Sequence, residues 1–315
     1  MKAWIKHNAD PFATKIGDKY YFIATAPKYD YIALRESDTL LGLAEAEEKI
    51  IWKKHDEGDM SGYIWAPELH CIDGAYYIYV AASRADNIWR IRPYVLKCIG
   101  DPMVDNWEEL GEMIPAEGDG FSFKSFSLDM TVFENKGKHY AVWAEKIGAW
   151  KGISNLCIAE METPNKLKSM HVILSTPTYD WERVDEWVEE GPAVLKKDGK
   201  IYLTYSASAT GACYCMGMLT IDENDEILDP NKWDKERYPV LKTDADLEVY
   251  GPGHNSFVKD EEGNDICVFH ARDFEKIEGN PLDDINRHAH LLKVVYDEKG
   301  KPVFDLKNCL CCDKS

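Results

Sequence analysis

The chain has no long apolar run. Its longest, Tyr76 to Ala82, is far short of the ~20 residues that a helix needs to cross a bilayer. The opening Met1–Asp10 stretch contains nothing apolar enough to serve as a secretory leader. Basic residues are in deficit: 37 Lys and Arg stand against 56 Asp and Glu, a net charge of −19. Such a surface repels phosphate backbones and anionic membranes, so nucleic acid and lipid are excluded as partners. The nine cysteines form no paired framework; they fit a reducing compartment, and a cytoplasmic location is expected. Cys309, Cys311 and Cys312 offer three thiols where a structural zinc site takes four ligands, and they read as an ordinary tail. A glycine-rich phosphate loop, a Gly-x-Ser-x-Gly elbow and a His-Glu-x-x-His helix are all missing, which removes the commonest phosphoryl-transfer, serine-hydrolase and zinc-protease chemistries.

Aromatics are plentiful: 10 Trp, 17 Tyr and 10 Phe, many in short tyrosine-rich runs. These suit strands, and flat rings also suit the faces of sugars. One plan recurs along the chain: a polar residue in an apolar setting, a short strand, a turn with Gly or Asn, and a second aromatic-rich strand. It begins near Asp10, Glu68, Asp129, Glu190 and His254, at steps of 58, 61, 61 and 64 residues. Each copy reads as a β-hairpin. Further strands between the copies, such as Trp89–Lys97 and Tyr214–Thr220, bring each unit to about four, the make-up of a propeller blade. The expectation is an all-β chain, residues 1–315 forming a single five-bladed β-propeller. Ser37–Lys49 departs from the pattern and predicts a short helical insertion, followed by a strand over Ile50–Lys53.

In a propeller, equivalent positions on the innermost strands converge on the axis. That would gather Asp10, Asp129 and Glu190 into one cluster. Converging carboxylates raise the pKa of at least one of them. Glycoside hydrolysis uses that situation, with one acid protonated to donate and another ionised to activate water.

The motifs His7-Asn-Ala-Asp10-Pro-Phe, Trp65-Ala-Pro-Glu68, Ser127-Leu-Asp129, Glu190-Gly-Pro, Gly251-Pro-Gly-His254-Asn-Ser and Phe269-His-Ala-Arg272, with the closing Arg287–Phe304 segment, resemble in order and spacing the motif set of glycoside hydrolase family 43. The resemblance spans nearly the whole chain. It implies a five-bladed propeller that acts with inversion on α-L-arabinofuranosides or β-D-xylosides. It also implies roles: Asp10 as general base, Glu190 as general acid, Asp129 to orient the acid and tune its pKa, and Arg272 to contact substrate hydroxyls or the acids. Glu189 is the neighbouring alternative for the acid, but strand alternation should point it away. His254 matches a histidine that sits in this family beside an axial ion, usually calcium held with waters; no cofactor is otherwise required. Trp65, Phe12, Trp143 and Tyr214 are candidate pocket walls.

The motif-bearing stretches look closest to exo-acting α-L-arabinofuranosidases. The expected partners are arabinose- or xylose-containing oligosaccharides from plant cell walls. The alternatives are a β-D-xylosidase, a dual arabinofuranosidase/xylosidase, and a non-catalytic sugar-binding propeller. A retaining sucrose- or fructan-cleaving propeller would carry Asn-Asp-Pro-Asn-Gly near its start, whereas here Asp10-Pro is followed by Phe-Ala.

Overall fold

A computed structural model describes residues 2–147 and 152–310. Apolar residues alternating with polar ones, punctuated by tight turns, produce antiparallel strands throughout. The first blade is β1 (Ala9–Ile16), β2 (Lys19–Thr25), β3 (Tyr31–Ser37) and β4 (Lys49–Lys53). The second is β5 (Ile64–Ile72), β6 (Ala75–Arg84), β7 (Asn87–Cys98) and β8 (Glu108–Glu112). The third is β9 (Phe126–Asn135), β10 (Lys138–Ile147) and β11 (Ile153–Thr163), edged by the short β12 (Lys166–Leu167) and β13 (Val172–Ser175). The fourth is β14 (Glu189–Lys197), β15 (Lys200–Ala207), β16 (Cys215–Asp222) and β17 (Asp234–Lys235). The fifth is β18 (Tyr250–Lys259), β19 (Asp265–Arg272) and β20 (His288–Lys293). The arrangement is the expected five-bladed propeller.

The apolar core is divided among the spaces between blades. Tyr79, Val95, Trp143 and Cys157 pack blade two against blade three, and Val142, Leu203, Tyr205 and Leu219 pack blade three against blade four. The last blade is completed by both ends of the described chain. Trp4 and Ile5 donate backbone N–H bonds to the carbonyl of Ala289, at 2.8 and 3.2 Å, and Leu310 donates to Leu291 at 2.9 Å. Segments from opposite ends thus lie beside β20 and close the ring.

The insertion after β3 holds a single 3-10 turn, Leu41–Ala44, rather than a longer helix. Only Leu40 and Leu43 are buried there, so one turn suffices to seat the apolar anchors. The strand that follows starts one residue early, at Lys49. No helix among the described residues is long and apolar enough to cross a membrane. Cys311 and Cys312 lie outside the described residues; Cys309 is buried against the fourth- and fifth-blade core.

Candidate active site

Each innermost strand is interrupted near its start. Register slips occur between Ala9 and Phe12, Trp65 and Glu68, Glu190 and Ala193, and twice between Tyr250 and Ser256, with a matching slip opposite β9. At these bulges the backbone turns left-handed: φ is +53° at Asp10, +45° at Ala66, +54° at Asp129, +53° at Gly191 and +42° at His254. A bulge frees an N–H from the ladder and re-aims the neighbouring side chain. Four freed N–H groups find partners on the preceding blade: Asp10 donates to His270 Nδ1 (3.0 Å), Ala66 to Thr25 Oγ1 (2.7 Å), Gly191 to Asp129 Oδ2 (3.0 Å) and His254 to Ser206 Oγ (2.6 Å). The bulges therefore aim polar side chains at the axis and stitch blade to blade.

The five recurring polar residues do not occupy one equivalent position. Asp10, Asp129 and His254 stand at left-handed residues, Glu190 one residue before its own, and Glu68 two after. Glu68 accordingly pairs with His70, Oε2 to Nε2 at 2.8 Å. The other four meet at the axis, and the charge of Glu68 still acts on Asp129 and His254. His254 Nδ1 lies 3.3 Å from Asp10 Oδ1 and 3.7 Å from Asp129 Oδ2.

Asp10 receives the most support. Thr25 donates its hydroxyl to Oδ2 at 2.6 Å, and Arg287 Nη1 approaches Oδ1 at 3.3 Å. Burial opposes its ionisation, but His254, Arg287 and His270 together hold its pKa well below the usual carboxylate range. Of these, Arg287 is the standing charge at neutral pH. Burial lowers the pKa of His254 and that of His270, to about 3. The ring nitrogen of His270 that accepts the Asp10 N–H is necessarily unprotonated.

Glu190 is the opposite case. Burial, reinforced by the charge of Asp10, raises its pKa to about 7, although the Tyr214 hydroxyl donates to Oε1 at 2.9 Å and works the other way. Asp129 is raised well above its ordinary value by burial, then by the charges of Glu190 and Asp10.

The candidate wall residues divide. Tyr214 reaches the cluster and stacks on His270 at 5.6 Å between ring centroids. Phe12 packs on His70 at 5.1 Å. Trp65 stacks on Tyr63 at 4.7 Å, with Tyr29 edge-on to both. Tyr29 also touches Arg287, which links this aromatic group to Asp10. Trp143 is not a wall: it is wholly buried between blades, its ring against Phe123 and its Nε1 donating to Glu145 at 2.8 Å.

Arg272 does not reach the acids. Its guanidinium is committed to Asp284 (2.9 Å) and to the carbonyls of Thr210 (3.0 Å) and Pro281 (3.1 Å), which clamps the loop before β20. Arg287, Thr25 and His270 are the residues that sequence reasoning missed. Arg287 and His270 lay inside quoted motifs, but nothing in their spacing tells which arginine reaches Asp10.

Among the described residues, no group of three or more His, Cys, Asp or Glu side chains is arranged to hold a metal ion. His254 offers one nitrogen turned toward two carboxylates, whereas calcium takes 6–8 oxygens at about 2.3–2.6 Å. Side chains at His254 therefore form no calcium cage of their own among the described residues.

Comparison with known proteins bears on what such a cluster does. The model of the family described as glycosyl hydrolases family 43 matches residues 5–302. An extracellular exo-alpha-(1->5)-L-arabinofuranosidase of Streptomyces avermitilis is 44% identical over 95% of this chain and 61% of its own length. An enzyme of the same name from Streptomyces chartreusis is 45% identical over 88% of this chain and 84% of its own. The crystal structure of an alpha-L-arabinofuranosidase from Lactobacillus brevis superposes with a TM-score of 0.90 at 44% identity, covering 96% of this chain and 95% of that one. The chain thus spans about 61% of the length of the first relative.

Both Streptomyces relatives are named extracellular, which overturns the expected cytoplasmic location and points to secretion. Unpaired thiols, such as those of Cys98, Cys157 and Cys267, were a poor guide to compartment.

Proposed function

Because the chain belongs to glycosyl hydrolase family 43, we propose that it releases terminal α-L-arabinofuranosyl residues from arabinose-containing oligosaccharides, with inversion at the anomeric carbon. The observation that carries the mechanism is that two carboxyls at the axis stand in unlike surroundings, Asp10 against Arg287 and Thr25 and Glu190 against the Tyr214 hydroxyl. Asp10 is held charged beside Arg287 and Thr25, while Glu190 keeps its proton up to about pH 7. Such a pair divides the work of an inverting glycosidase.

In this reading Asp10 draws a proton from water as it attacks the anomeric carbon. Glu190 gives its proton to the departing oxygen. Asp129, bonded to the Gly191 N–H, steadies the peptide that carries Glu190. Trp65 and Phe12 border the sugar, while Tyr214, wholly buried, backs Glu190 from behind. The names of the relatives favour arabinofuranosides over xylosides. Both proton transfers of this proposal are assigned to side chains of this chain.

The test is a panel of nitrophenyl glycosides with three variants. Hydrolysis of the α-L-arabinofuranoside well above the β-D-xyloside is expected, and proton NMR should show the β-arabinose anomer first. Glu190→Gln should lose ~10²–10⁴-fold on arabino-oligosaccharides but far less on a dinitrophenyl arabinoside, whose leaving group needs no proton. Asp10→Asn should lose activity on both, and Asp129→Asn should fall between. Faster xyloside cleavage would make the enzyme a xylosidase, comparable rates a dual enzyme, and no cleavage a sugar-binding propeller. Exhaustive chelation should leave the rate unchanged; a loss restored by calcium would return His254 to an ion.

A further inference from the structure

Glu189 faces away from Glu190, as strand alternation requires, into the space between blades three and four, where it is wholly buried. It does not stand alone there. Lys235, on the outermost strand β17, reaches across the blade: its Nζ lies 2.5 Å from Glu189 Oε1 and 2.7 Å from Glu182 Oε1. The same ammonium donates to the Thr176 carbonyl at 2.9 Å and lies over the rings of Tyr179 and Tyr205.

Glu182 is also wholly buried and is saturated with donors. It accepts the Tyr205 hydroxyl at 2.6 Å and the backbone N–H groups of Thr178 and Tyr179 at 2.6 and 2.7 Å. Among the described residues, Glu189 has only Lys235 and the Ser175 hydroxyl, at 3.1 Å, both on Oε1, while Oε2 has no partner. One ammonium thus joins two buried carboxyls, a costly arrangement to keep in a core. Apolar side chains would fill the same space more cheaply.

Its position suggests why it is there. Glu190 sits between two anchored neighbours. On one side, Gly191 gives its N–H to Asp129. On the other, Glu189 is held twice: its carboxyl by Lys235 and its carbonyl by the Ser154 hydroxyl at 3.1 Å. The rotation of the Glu190 carboxyl about the strand is set by these two pins. We propose that Lys235, acting through Glu189, is a positioning residue for the Glu190 carboxyl, a strut running from the outermost strand of the blade to the innermost. The proposal rests on the reading of Glu190 as the general acid.

The experiment compares two substrates: an arabino-oligosaccharide, which needs proton donation, and 2,4-dinitrophenyl α-L-arabinofuranoside, which does not. Glu189→Ala cuts the strut yet leaves Lys235 paired with Glu182, so no buried charge is stranded. Its kcat on the oligosaccharide should fall at least about tenfold, a part of what a general acid supplies, with little change on the dinitrophenyl substrate. Glu189→Gln, whose amide oxygen can still accept from Lys235 and Ser175, should restore the parent ratio. Lys235→Met should repeat the selective loss and Lys235→Arg should moderate it.

A folded Glu189→Ala enzyme with an unchanged ratio, or with equal losses on both substrates, would overturn the strut. Glu190→Gln run alongside separates the two levels. If it shows the selective loss and Glu189→Ala does not, the strut alone fails. If Glu190→Gln shows none, the assignment of the acid fails and the strut with it.

Discussion

At the scale of single residues, neighbours rather than residue type decide which acid does what. Asp10 and Glu190 differ by one methylene, yet one is held far below its ordinary pKa and the other is raised to about 7. His254 and Arg287 draw the first down against its burial, while burial and the charge of Asp10 push the second up. Tyr214 sits on the balance. Its hydroxyl donates to Glu190 and so favours the ionised carboxyl. Removing that donor in Tyr214→Phe should raise the acid's pKa. The acid must be protonated to work, so activity on oligosaccharides falls as pH rises through its pKa. The basic limb of the pH–rate profile is therefore expected to move to higher pH in Tyr214→Phe. Titrating kcat/KM across that limb checks it, and a limb that stays put or moves down would remove Tyr214 from the control of Glu190.

At the scale of elements, the bulge is the unit that builds the site. Gly191 has φ +53°, and a Cβ there would lie 3.1 Å from the His254 ring. Gly191→Ala should therefore cost about 1–2 kcal/mol for the left-handed backbone and should also push His254 off the carboxylates. Gly199→Ala is the control. Gly199 also has positive φ, +77°, but lies on a hairpin turn with open space around it. Both variants should melt earlier, and only Gly191→Ala should lose activity at temperatures where both are folded.

The hairpins were legible in the sequence because Asp-Gly and Lys-Gly turns and alternating apolar residues are local signals. The bulges were not, because they are slips between two strands. The repeat spacing located the acids to within a residue or two, close enough for Asp10, Asp129 and Glu190. Glu68 shows the limit: its offset of two residues from the bulge gives it to His70. Trp143 as a wall and Arg272 as a contact of the acids miss for a related reason. Which face of β10 meets the next blade, and which arginine lies beside the first strand, are facts of packing between segments far apart in the chain.

At the scale of the whole molecule, the closed ring explains why so acidic a chain can bury carboxyls in its centre. The five spaces between blades hold the apolar core, and the axis is left to polar groups that compensate one another. Ring closure places residues next to each other that are 277 apart in sequence, as in the contact of Arg287 with Asp10. Lys235 and Glu182 act over a shorter span, joining the outermost strand of the fourth blade to the turn that leads into it.

The joining of the two chain ends beside β20 also makes catalysis a clock for folding. Single blades can form from nearby residues, but Asp10 acquires Arg287 and His270 only when the first blade meets the last. Contacts so distant in sequence are slow to form. After dilution from denaturant, far-ultraviolet circular dichroism should therefore recover first. The proposed arabinosidase activity should return with the slowest phase, and its rate should drop further when Trp4, whose backbone bonds to Ala289 and whose ring packs on Phe22 at 5.3 Å, is replaced by alanine. Activity that returned in step with the early strand signal would mean that the site assembles before the ring is shut.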